Sequence, residues 1–138
     1  MLTFRGPRMF VARLDSRAES APLARYLLRA YLSGLPSGED YRDTAELLLS
    51  ELFANAVQHS DTPDDRRIEI RFDLADSLLR LEVHDADTAL PALRTPTPDD
   101  EHGRGLRLVD ELAERWGCAY RPCGIGKFVW ALIAPATT

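Results

Sequence analysis

Two alternating runs placed back to back constrain this chain more than any other feature. "RRIEIRFDL" puts Ile68, Ile70 and Phe72 on one side and Arg67, Glu69 and Arg71 on the other. After "ADS", the run "LLRLEVHD" alternates again through Leu79, Leu81 and Val83. Side chains on a strand alternate with period two, so each run reads as a strand with one apolar face. "ADS" is short enough to turn a hairpin between them. That apolar face has to be covered, and the rest of the chain must supply the cover.

The cover reads as helical. "SRAESAPLARYLLRAYLSG" carries Leu23, Tyr26, Leu27, Ala30 and Tyr31 at helical spacing, with Pro22 in a first turn and Gly34 at the stop. A second helix runs roughly from Glu39 to His59, with Ala45, Leu48, Leu49, Leu52, Phe53 and Ala56 on its apolar face, and "DTPDD" ends it. Ahead of both, "RMFVARLD" alternates Phe10, Ala12 and Leu14 against Met9, Val11 and Arg13, which predicts a strand. Thr88 to His102 holds Pro91, Pro96, Pro98 and an acidic cluster, the composition of a long lid or binding loop. "GRGLRLVDELAERWG" predicts a third helix with Leu106, Val109, Leu112 and Ala113 inward, and "CAYRPCG" with "KFVWALIA" predicts a closing hairpin.

This order groups helices against strands. The expected fold class is an α/β (α+β) two-layer sandwich, its mostly antiparallel, mixed sheet covered on one face by helices. A length of 138 residues suits one domain with one core, residues 1–138, and no internal repeat is visible.

Bulk properties exclude several functions. A formal net charge of -5 argues against a phosphate-tracking nucleic-acid binder, so no direct nucleic-acid partner is expected. "MLTFRGPRMFVARLD" has charges and a proline where a signal peptide needs an apolar core. No stretch reaches the ~18 apolar residues of a membrane span. The expectation is a cytoplasmic chain with no membrane partner. Cys118 and Cys123 form a C-x4-C with no second pair to complete a zinc site, and read as reduced, half-buried thiols.

Four patterns could carry chemistry. In "SELFANAVQHS", Glu51, Asn55 and His59 recur every fourth residue and so share one helix face. A carboxamide oxygen suits a hard cation such as Mg2+, and a carboxylate one turn earlier can take a proton. Spacing alone serves a solvated edge equally well. "HGRGL" at residues 102–106 opens the third helix, where Gly103 and Gly105 allow close approach of an anion and Arg104 and Arg107 add charge, although many such pairs are tight turns. Asp85, in "VHDAD", stands where a strand gives way to the long loop; it could accept from an exocyclic amine or cap the loop. "GIGKF" at 124–128 fails the P-loop pattern at Arg121 and Phe128 and reads as a turn into the last strand. His84 and His102 have no ligand-spaced partners.

The order of these patterns is more specific than any one of them. "ELFANAVQH", "VHDAD", "GRGLRLV" and "GKFVWAL" together resemble the GHKL (Bergerat-fold) ATP-binding domains, and within them the short anti-sigma factor serine/threonine kinases and related regulators. The resemblance spans roughly Arg8 to Ile133. It implies the cofactors ATP and Mg2+. It implies that Asn55 ligands Mg2+ on the phosphates, and that Glu51 orients or deprotonates a water or a partner's serine hydroxyl. It implies that Asp85 binds the adenine amine, and that Gly103 and Gly105, with backbone N–H groups near Arg104 and Leu106, cradle phosphate. The sequence departs from the family's D-x-G-x-G motif with Asp85-Ala86-Asp87-Thr88-Ala89, and Phe128 stands where a threonine is common.

The expected function follows from that resemblance. It is an ATP-binding anti-sigma-type regulator, a serine/threonine kinase of an anti-sigma antagonist, with that antagonist, a sigma factor or both as partners. The alternative is a catalytically inactive protein-binding module acting by sequestration. The resemblance also suggests a homodimer. Neither a dimerisation histidine helix before the domain nor a receiver after it is expected, so a complete histidine kinase is not the expected reading.

Overall fold

The computed structural model describes residues 9–58, 67–85, 101–122 and 126–136; the side chains of 101–105 lie outside that description. Five strands and three α-helices follow in the order β1 (Phe10–Asp15), α1 (Ala21–Ser33), α2 (Arg42–Gln58), β2 (Arg67–Ala75), β3 (Leu78–Asp85), α3 (Glu101–Leu112), β4 (Arg115–Tyr120) and β5 (Lys127–Ile133). Short 3-10 turns, Ala18–Ser20 and Gly38–Tyr41, lead into α1 and α2. The second of these was expected as the first turn of a helix from about Glu39.

The strands form one open sheet in the order β1-β2-β3-β5-β4, and every neighbouring pair is antiparallel. The mixed sheet expected from sequence is thus antiparallel throughout. The β2–β3 hairpin pairs Ala75 with Leu78 across the two-residue loop Asp76-Ser77, and both loop residues have positive φ, 54° and 65°. Positive φ at both positions is what lets a two-residue turn follow the twist of its strands. The Tyr41 hydroxyl donates to the Ser77 carbonyl at 2.9 Å and pins the hairpin to the 3-10 turn that leads into α2.

Alternation sorts the sheet into two faces. Ile68, Ile70, Phe72, Leu79, Leu81, Val83, Val129, Ala131 and Ile133 face the helices and are buried. All six expected inward residues of α2 join them. In α1 the expected face is displaced. Leu23 and Tyr26 are 48% and 63% exposed, Ala30 is exposed, and Leu27 and Tyr31 are half-buried; Ala24, Leu28 and Leu32 form the buried stripe. Both stripes are apolar, and the sheet and α2 cover only one. In α3, Leu106 and Val109 are buried as expected, whereas Leu112 is 41% exposed.

α3 also ends sooner than the periodicity predicts. Ala113 N–H still bonds the Val109 carbonyl, but Glu114 N–H turns to the Leu132 carbonyl and starts β4. Arg115, Trp116 and Gly117 therefore belong to a strand, not to the helix. The open side of β5 needs a hydrogen-bonding neighbour, and that need outweighs the helical periodicity of "AERWG". Trp116 turns to the helix side and donates to Asp110 of α3 at 2.8 Å. Trp130, on the opposite face, lies over Gly117, where a Cβ would come within 2.9 Å of the indole. The Arg80 guanidinium sits 4.9 Å from the Trp130 ring centre. Among the described residues no helix is long and apolar enough to cross a membrane.

Candidate functional site

α2 carries the polar stripe, and the structure treats its members differently. Leu48, Leu52, Phe53 and Ala56 anchor the helix on the sheet. Asn55, one position round from that face, is also buried, and its Oδ1 has no hydrogen-bond partner among the described residues. A buried carboxamide oxygen without a partner costs about 1–3 kcal/mol, so such an atom in a native fold calls for a ligand. Glu51 is half-buried. It borders an open recess of about 380 Å³ with Ala18, Ala21, Phe53, Ala54, Val57 and Gln58. The two residues share a helix face one turn apart, but Asn55 does not line that recess. His59 lies outside the described residues.

α2 packs on β3 and on α3. At the end of β3, Asp85 points to the helix side and is buried. Its register partner is Lys127, the first residue of β5, whose Nζ lies 3.0 Å from Asp85 Oδ1. The pair is shielded from water, with side-chain exposures of 3% for Lys127 and 6% for Asp85. Gly126, just before it, has φ 87°, a left-handed conformation that suits glycine and turns the chain into β5.

Gly103 and Gly105 lie inside the first turns of α3, which begins at Glu101, two residues before the first glycine. Leu106 is buried. The side chain of Arg104 and most of the loop expected from Thr88 to His102 lie outside the described residues, although Glu101 and His102 fall within α3.

The residue that sequence reasoning overlooked is Lys127. It is the only lysine among seventeen lysines and arginines, and that singularity was a usable signal. The pattern "GIGKF" by itself places it only in a turn.

Among the described residues no three His, Cys, Asp or Glu side chains gather to hold a metal. A cation held here would therefore rely on Asn55 Oδ1 together with oxygens of a ligand and water. That donor set suits Mg2+, which is usually bound by few protein oxygens plus substrate phosphates. The unpartnered Oδ1 fits such an ion.

The sheet's other face is built from charges. Glu69 is buried between Arg13 at 3.0 Å and Arg71, and Glu82 accepts from Arg80 at 2.6 Å and from His84 Nε2 at 2.7 Å. Burial works to raise the Glu82 pKa, but the bonds from His84 and Arg80 outweigh it and hold it at about 2. The His84 ring stacks on Phe128 with centres 4.6 Å apart, and its buried Nδ1 has no partner among the described residues. This network faces away from α2 and so is separate from Asn55 and Asp85.

The family model described as "Histidine kinase-like ATPase domain" matches residues 14–130 of the chain. Compared with curated proteins, the chain matches none.

Proposed function

Because the chain belongs to the histidine kinase-like ATPase domain family, we propose that it is a regulator of the anti-sigma type. It binds ATP with Mg2+, transfers the γ-phosphoryl group to a serine or threonine of an antagonist protein, and sequesters a sigma factor. The observation that carries the metal end of this reading is the buried, unpartnered Oδ1 of Asn55.

In this reading Asn55 holds the cation, Asp85 accepts from the base amine, and the backbone at Gly103 and Gly105 meets the phosphates. The cation supplies charge neutralisation on the phosphates. Glu51 stands one turn from Asn55 with an open recess beside it. From there it accepts the proton of the partner's hydroxyl as that oxygen bonds the γ-phosphorus and the bond to the ADP oxygen breaks. Positioning and electrostatics do most of the work in such a transfer.

Calorimetry with Mg-ATP tests the metal end. Asn55→Ala is expected to weaken binding at least ~10-fold, the equivalent of one charge-assisted contact. Equal affinities for variant and wild type would remove Asn55 from the site. Glu51→Ala is expected to keep binding and lose phosphoryl transfer to a candidate antagonist, read as phosphoserine formed.

A second reading is favoured by the sequence Asp85-Ala86-Asp87-Thr88-Ala89, which lacks both motif glycines. Under it the chain is a protein-binding module with little or no nucleotide affinity. Complex formation with an antagonist in the absence of ATP, without phosphoserine when ATP is added, would support it.

A further inference from the structure

We propose that Lys127 is a base-reading residue, its ammonium donating to a ring nitrogen of the nucleotide base while Asp85 accepts from the neighbouring exocyclic amine. This inference rests on the nucleotide-binding reading above and adds to it the way the base is recognised.

The chain meets its need for positive charge with arginine everywhere except at this one position. Most of its ion-paired arginines lie at or near the surface, as Arg13 and Arg67 do with side chains 66% and 62% exposed. Lys127 is instead 3% exposed and lies on the helix-facing side of the sheet. It occupies the same rung of the ladder as Asp85, with Nζ 3.0 Å from Oδ1. A buried ion pair is a poor stabiliser, because removing two charges from water roughly cancels their attraction, and apolar replacements often do as well. The pair by itself therefore adds little stability, and a ligand gives a further reason for a lysine at this rung.

The chemistry of the pair supports the assignment. A carboxylate only accepts hydrogen bonds. Facing an amine with a ring nitrogen next to it, Asp85 alone would satisfy the amine and leave the ring nitrogen's lone pair unmet. An ammonium only donates, has three N–H groups, and is a compact point charge on a slender stem. Side by side, the two present an acceptor and a donor, the complement of an amine adjoining an unprotonated ring nitrogen. Arginine at this rung would close a planar fork on the carboxylate with two parallel bonds and engage the acceptor the amine needs. The register fixes the juxtaposition, since both groups project from facing residues of adjacent strands.

The test compares Mg-ATP with Mg-1-deaza-ATP, in which the ring nitrogen beside the amine is replaced by C–H. Wild-type protein is expected to bind the deaza analogue ~10-fold more weakly, as the loss of one hydrogen bond to a charged donor requires. Lys127→Met is expected to bind both alike and at the weaker level. Because that variant leaves a buried carboxylate without its cation and could fail to fold, a second measurement uses the wild type alone. Lys127 is the only side-chain amine, so its reaction with acetic anhydride can be followed by mass. Mg-ATP is expected to slow that reaction ~10-fold, and Mg-tripolyphosphate, which has no base, to leave it unchanged.

Equal affinity for ATP and its deaza analogue in the wild type overturns the inference while leaving nucleotide binding intact. Tighter ATP binding by Lys127→Met also overturns it, since the lysine would then compete with the base for Asp85. If the wild type binds neither ATP nor tripolyphosphate, the nucleotide reading itself falls, and the inference falls with it.

Discussion

At the scale of single residues, buried polar groups divide into those the fold satisfies and those it does not. Glu82 is satisfied. Its pKa of about 2, against an ordinary 4.5, means the unfolded chain takes up a proton first as the pH falls. The stabilisation is complete above pH 4.5 and is lost progressively as the pH drops from there toward 2. A shift of this size corresponds to ~3 kcal/mol, and solvent screening of the partly exposed arginines lowers it. Glu82→Gln is therefore expected to be less stable at pH 7 and to show a flatter decline below pH 4.5, measured by urea unfolding at several pH values. An unchanged slope would mean that another carboxylate governs acid unfolding. Asn55 and Lys127 mark the limits of sequence reading. Asn55 was legible, because a four-residue spacing puts it above Glu51 on one helix face. Lys127 stood out only as the sole lysine; its pairing with Asp85 was not legible, because 42 residues separate the two and only the register of β3 on β5 brings them together.

At the scale of elements, the strands were legible and the helix boundaries were less so. Period-two alternation in β2 and β3 has only two phases, and one of them is plainly apolar. α1 offers two adjacent apolar stripes, and only contact with α2 and the sheet decides between them. Leu28→Ala is expected to cost about 2–5 kcal/mol, as buried leucines do. Tyr26→Ser, on the stripe favoured by the sequence, is expected to change stability by no more than ~0.5 kcal/mol. Chemical denaturation of the two variants checks both, and a larger loss for Tyr26→Ser would restore the original phase. The β2–β3 turn yields a gain instead. Ser77 holds φ 65° without being glycine. Ser77→Gly is expected to stabilise the hairpin by about 0.5–1 kcal/mol, read as a raised Tm. The bond from Tyr41 survives this change, since it ends on the Ser77 backbone carbonyl.

At the scale of the whole molecule, the antiparallel order β1-β2-β3-β5-β4 puts β3 in the centre, flanked by β2 and β5, with β1 and β4 at the edges. The largest fully buried side chains sit in α1, α2, β2, β3 and β5, and none in β1 or β4. Amide exchange is accordingly expected to be slowest in β3 and to quicken toward β1 and β4, as mass spectrometry of exchanged peptides would show. Protection in β4 equal to that in β3 would contradict this centre-to-edge gradient. The two-layer architecture was readable from element order. The position of β4 beyond β5 was not, because it depends on where α3 stops, and a backbone hydrogen bond from Glu114 to Leu132 sets that point.

The placement of the two tryptophans has a practical consequence. Trp116 faces the helix layer and bonds Asp110 of α3, while Trp130 lies on the opposite face against Arg80 and Gly117. The sheet thus carries one intrinsic fluorophore on each side. With Trp130→Phe, the remaining emission reports on α3 and whatever binds beside it. With Trp116→Phe, it reports on the charged open face. Two single-tryptophan proteins can therefore assign a binding event to one side of the sheet without any label.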